Sequence, residues 1–249
     1  MQFAATTQIT EELMKKIEVI RNLDEPPGAN VEDGNRRQLL ALLSVAASAS
    51  VLGLTPQAAT ADNDSTAIPK RALTGRDEAG KSVFKSFELT PQIVTFDSRP
   101  GVAYYEMYAT DGIPRATGHE PDPMLTKKGG FPAPGATWFR LVRFAPRPPE
   151  GSKPDPRGYD KFLDELSQKV PGMAGHFERD TPGMHTSDSV DYGIVIRGEM
   201  ILELDDGKTV HLRAGDCVVQ NGTRHRWRNP LAEPCLMAFV LIGAAKRDG

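Results

Sequence analysis

The sequence predicts an all-β protein, an antiparallel barrel carried behind an N-terminal extension. Three observations point there. Residues 183–229, GMHTSDSVDYGIVIRGEMILELDDGKTVHLRAGDCVVQNGTRHRWRN, read as alternating strands broken by Gly-rich turns. The 20 prolines and 23 glycines among 249 residues favour turns over long helices. Two histidines and a carboxylate, His185, Asp191 and His225, sit on those strands at spacings that let them meet inside a closed sheet. Two imidazoles and a carboxylate are a common ligand set for a divalent metal with open coordination positions.

From the N-terminus, the elements read as follows. Thr10–Leu23 has the pattern of a short helix, with Thr10 as N-cap and Leu13, Ile17, Ile20 and Leu23 along one side. Arg36-Arg37 precedes the Ala/Ser/Leu-rich run from Ala41 to Leu54, and Ala59-Thr60-Ala61 offers a small-residue cleavage pattern. These are the parts of a secretory leader, and the adjacent arginines resemble a twin-arginine export signal. The other reading is an amphipathic helix packed on the barrel. The leader reading makes residues 1–61 an export signal and the mature chain periplasmic or otherwise exported; without it the chain is cytoplasmic. Residues 62–70 read as a linker.

The domain proper is expected over residues 71–249, with its motif-bearing core at 183–243. Arg71–Gly75 and Lys81–Phe87 flank Asp77–Gly80 as a hairpin. Gln92–Phe96, Val102–Tyr108 and Thr137–Phe144 are further strands. Residues 109–135 form a long loop of the kind that lies over a site or an interface. Tyr159–Val170 has helical periodicity, with Phe162, Leu163 and Leu166 on one face. Strand parity sends Asp191, Gly193 and Val195 to one face and pairs His225 with Trp227. Trp227 either walls a cavity or fills the core. Asp205-Asp206-Gly207 reads as a turn, and His211 lies on a polar strand face. His119 and His176 fall in loops as surface histidines. Cys217 and Cys235 have no CxxC spacing and read as packed small side chains without a catalytic role.

Residues 183–229 resemble the cupin superfamily, whose members are small antiparallel β-barrels or jelly rolls. The first cupin motif is matched by His185, by Asp191 at the Glu position and by Gly198, with Ser187 where a second His usually stands and Arg179 where the opening Gly stands. The second motif is matched by Gly215, Gly222, His225 and Asn229, with Gln220 in place of Pro. The resemblance implies a single barrel holding a divalent metal ion (Fe, Mn, Ni or Zn) on His185, Asp191 and His225. Ser187, Tyr192 and Trp227 are its expected pocket residues. It also implies a homodimer.

The functions left open are three. One is a metal-dependent enzyme acting on a small oxygenated organic molecule, as an oxygenase or as an isomerase, dehydratase or decarboxylase. The second is a small-molecule-binding barrel without turnover, and the third a storage barrel. With a net charge of −3 and a pI near 6.0, the chain carries no basic field for nucleic acid. No stretch reads as a stable membrane span.

Overall fold

A computed structural model describes residues 67–153 and 155–245. The expected leader and the Thr10–Leu23 helix lie outside the described residues. Strand follows strand as the sequence predicts: β1 (Lys70–Arg76), β2 (Ser82–Leu89), β3 (Gln92–Thr95), β4 (Ala103–Thr110) and β5 (Thr137–Phe144) precede helix α1 (Gly158–Lys169). Then come β6 (Ser189–Arg197), β7 (Glu199–Glu203), β8 (Thr209–Arg213), β9 (Cys217–Asn221), β10 (Arg226–Arg228) and β11 (Cys235–Gly243). All strand pairs are antiparallel. A six-stranded sheet runs β3-β4-β5-β11-β6-β9, a three-stranded sheet β10-β7-β8, and β1-β2 form a separate hairpin. No helix among the described residues is long and apolar enough to cross a membrane.

Packing follows the alternation of the strands. Val195, Met200, Leu202, Leu212, Cys235 and Met237, drawn from both larger sheets, form one buried cluster. Burying side chains of this size is worth roughly 1.5–3 kcal/mol each. Helix α1 supplies the lid of a second cluster. Its Phe162, Leu163 and Leu166 recur at helical spacing and pack on Phe96, Tyr104, Val142 and Met173. Asp160 in its first turn and Lys169 in its last complement the helix dipole. The helix is tied to the sheet edge by Glu165, whose carboxylate accepts from the backbone N–H groups of Asp97 and Ser98 at 2.8 and 2.9 Å.

The loop over residues 111–136 contains one short 3-10 turn, Pro123–Leu125, capped by the Asp122 side chain. Met124 of that turn is fully buried against Trp138. The far end of the loop is clamped to β11. Gly135 N–H donates to Gly243 O and Gly243 N–H donates to Ala136 O, each at 2.9 Å. A Cβ at Gly243 would lie 2.0 Å from Ala133 O and 2.6 Å from Ala133 C. Those are backbone atoms, which cannot step aside as a flexible side chain would. Gly243→Ala is therefore expected to cost about 3 kcal/mol of stability in a urea titration. An unchanged midpoint would show that the clamp is not tight.

Two small expectations are settled here. Cys235 is buried in the core, and burial pushes its thiol up to about 12. Cys217 departs from the expectation of a packed thiol, because it is exposed on the edge strand β9. His211 is half-exposed and stands 2.7 Å from Glu199 on the neighbouring strand, as its polar strand face predicts.

Candidate functional site

The site begins with a cross-strand pair. His185 and His225 lie opposite each other in an antiparallel bridge, each N–H donating to the other's carbonyl at 2.9 Å. Residues so paired project their side chains to the same side. The two rings accordingly stand 4.1 Å apart between centroids. Phe177 bridges to His185 from the other side and stacks on its ring at 4.5 Å. Trp227 meets the His225 ring edge-on at 5.6 Å and meets Phe239 at the same distance. Trp227 thus serves as a wall of the cavity.

Both imidazoles are oriented by the backbone. His185 Nδ1 lies 3.1 Å from Gly183 O and His225 Nδ1 lies 2.8 Å from Thr223 O. A carbonyl oxygen only accepts, so each Nδ1 carries the proton. Burial, with His225 alongside, pushes the His185 pKa down to about 3, and burial lowers that of His225. At neutral pH both rings are uncharged, and in each the Nε2 lone pair is the one left for a ligand. That arrangement, Nδ1–H on a backbone carbonyl and Nε2 free, is how metal-ligating histidines are usually held.

Asp191 does not join them. Parity turns it inward on β6, where it pairs with Gln220 of β9 and Leu241 of β11. Its neighbours there are the Ser189 and Ser187 hydroxyls and the charge of Arg140, and burial outweighs them to raise its pKa. Ser187 is buried and its Oγ donates to Asp191 Oδ2 at 3.4 Å, while Asp191 Oδ1 has no partner. Among the described residues, no three His, Cys, Asp or Glu side chains converge as a metal-holding group. The imidazoles thus form a pair, while the carboxylate expected as the third donor lies among serines in the same cavity. Tyr192 also departs from expectation. It is 47% exposed on the outer face of β6, one residue out of phase with Asp191, and lines no part of the cavity.

The cavity itself measures about 180 Å³. His185, Asp191, His225 and Trp227 line it together with Gln220, Tyr104, Phe131, Phe177, Phe239, Met173 and Arg140. Phe131 comes from the long loop, which therefore does reach the site. Arg140 is 3% exposed and Glu106 2%, and their ion pair closes the floor, with Nη2 3.0 Å from Oε1 and Nε 3.1 Å from Oε2. Glu106 also accepts from the Trp138 indole N–H. This pair was overlooked in the strand patterns, although it left a signal there. Arg140 shares its parity with Trp138 and Val142, and Glu106 is the one acid within AYYEMYAT. A charge on an otherwise apolar inward face is either paired or functional.

His176, expected as a surface histidine, is only partly exposed. Its Nδ1 sits 2.9 Å from Thr186 O and its ring packs on Phe131 at 4.4 Å. His119 is exposed as expected. The motif residues Asn229 and Gly198 have structural tasks. Asn229 ties a loop together through Ala145 O, Glu233 O and Leu231 N–H. Gly198 turns the chain with φ +84° where a Cβ would come within 3.1 Å of Cys235 Cα.

Residues 177–242 match the family model described as a cupin domain. Among similar proteins, the chain is 28% identical over 169 residues to the Phomopsin biosynthesis cluster protein C' of Diaporthe leptostromiformis, covering 65% of this chain and 70% of that protein. It is 52% identical over 46 residues to the Phomopsin biosynthesis cluster protein D of the same organism, which is 18% of this chain and 24% of that protein. It is 27% identical over 175 residues to a cupin-domain-containing oxidoreductase, fogC, of Aspergillus ruber, covering 69% of this chain and 71% of that protein. The chain thus spans under a quarter of one of these relatives and some 70% of the other two. The antiparallel strands β6 to β11 and the paired motif histidines coincide with the matched segment, and residues 177–242 carry a cupin domain.

Proposed function

We propose that the protein is a cupin enzyme of the oxidoreductase type, acting on a small oxygenated organic molecule, with His185 and His225 holding a divalent metal ion. The observation that carries this reading is the state of the two imidazoles. The rings stand 4.1 Å apart, each Nδ1 is held by a backbone carbonyl, and each Nε2 lone pair is left for a ligand. Such a pair suits ligation better than general base catalysis. The similarity to a protein named as a cupin-domain-containing oxidoreductase supports the reaction type.

A bound Fe, Mn, Ni or Zn ion would supply Lewis-acid polarisation or electron transfer. The rest falls to the chain's own groups. Phe131, Phe177, Trp227 and Phe239 exclude water and take up an apolar ring. Phe177 and the two backbone carbonyls hold the imidazoles in one orientation. Asp191, its carboxyl favoured in the neutral form by burial, presents a hydrogen-bonding group to the cavity.

The test is metal content. Chelator-stripped protein incubated anaerobically with Fe(II), Mn(II), Ni(II) or Zn(II), then desalted, is expected to retain about one ion per chain. His225→Ala is expected to retain at least tenfold less, a loss of the order seen when a ligand is removed, with the circular dichroism spectrum unchanged. A wild-type chain that retains none of the four ions would overturn the metal assignment and favour a barrel that binds its small molecule without turnover.

A further inference from the structure

The Arg140–Glu106 pair leaves guanidinium N–H groups unspent: Nη2, although 3.0 Å from Glu106 Oε1, makes no hydrogen bond. Glu106 engages the Nε and Nη2 side of the guanidinium. Nη1 is left with the Met173 thioether at 3.7 Å. Sulfur of this kind is a weak acceptor. Arg140 and Met173 both line the cavity, so the poorly satisfied N–H groups border the space that a ligand would fill. A charged donor in apolar surroundings favours a ligand that brings it an oxygen. The guanidinium is also held in place, 5.3 Å above the Tyr104 ring and 5.7 Å from Trp138.

The charges around the cavity decide what kind of oxygen it is. The cation of Arg140 is already matched by Glu106, and Asp191 stands in the same cavity. With no metal bound, a carboxylate ligand would place a third acid against one base in a space walled by aromatic rings. Burying an unmatched charge is far costlier than burying a carbonyl that receives a hydrogen bond. Size narrows the class further. An apolar cavity of about 150 Å³ accepts benzene, and this one is about 180 Å³.

We propose that Arg140 is the substrate-reading residue of this site: its guanidinium donates to a carbonyl oxygen of an uncharged molecule the size of one substituted ring. This rests on the reading of the cavity as the substrate site, and it specifies the class of substrate. Arg140 acts as a binding residue, with no covalent step.

Three probes of matched shape test it, titrated by ligand-observed NMR into the full-length chain stripped of metal by chelator. Acetophenone carries the carbonyl, ethylbenzene lacks it, and benzoate carries a charge. Acetophenone is expected to bind at least tenfold more tightly than either of the others. The preference should vanish in Glu106→Gln/Arg140→Met, which removes both charges together and keeps the core filled. It should persist in His225→Ala, which removes a metal ligand but leaves Arg140 in place. Equal binding of acetophenone and ethylbenzene, tighter binding of benzoate, or no binding of any probe would each overturn the proposal, and these wild-type comparisons need no variant to fold. A carbonyl preference that survives in the double variant, or is lost in His225→Ala, would assign the carbonyl to another group of the cavity and overturn the role of Arg140. Loss of metal in the elemental assay with the Arg140-dependent preference intact would instead remove the metal reading and leave this one standing.

Discussion

Glu106→Ala is expected to be among the most damaging single substitutions in the domain, lowering stability by about 3–5 kcal/mol. The carboxylate is the counter-charge of Arg140 and the acceptor of the Trp138 N–H, and all three groups are at most 3% exposed. Truncation leaves a guanidinium in the interior with no anion and an indole N–H with no acceptor. Neither can turn to water. For a domain of this size such a loss lowers the melting temperature by roughly 10 °C or more. Glu106→Gln/Arg140→Met should regain most of the loss, because an ion pair replaced as a unit leaves no stranded charge. Urea unfolding of the three proteins checks this. A loss below about 1 kcal/mol in Glu106→Ala would mean that water reaches the pair.

Acid is expected to destabilise the protein in a window set by His185. Its pKa is near 3 in the folded chain against 6.5 when unfolded. Between those values the unfolded chain holds a proton that the folded chain does not, so protons favour unfolding. Stability from this source is whole above pH 6.5 and erodes as the pH falls toward 3. His225, also lowered by burial, works in the same direction. Asp191, raised by burial, works in the opposite one, since its folded form keeps a proton that the unfolded carboxyl releases. Allowing for partial exposure of the His185 ring, its share of the loss between pH 7 and about pH 5 is roughly 1–2 kcal/mol. Urea titrations at the two pH values in the presence of chelator, on wild type and on His185→Gln, give the difference. An equal pH slope in both proteins would sink the assignment of the acid sensitivity to His185.

The strand pattern was readable because it depends on local rules. Period-2 alternation placed β6 with Asp191, Gly193 and Val195 inward, and helical spacing placed Phe162, Leu163 and Leu166 against the sheet. The two cupin motifs likewise singled out His185 and His225, one in each motif, and the fold sets them opposite each other in a bridge outside the named strands. Tyr192, expected in the pocket, neighbours Asp191 in sequence, but the alternation of the strand carries its side chain to the opposite, outer face.

What sequence alone determined is therefore the all-β class, the order of the strands, the helix and the two cupin motifs that carry the histidines. Each of these depends on residues a few positions apart, or on spacings within one motif. Only the tertiary structure decided that Asp191 faces serines and Arg140 and not the imidazoles, and that a lone acid and a lone base 34 residues apart close on each other as the cavity floor. It also brought Phe131, from a loop without periodicity, into the wall. Which groups share a cavity depends on how β4, β5, β6 and β11 register side by side, and that pairing joins segments whose separation along the chain carries no local pattern.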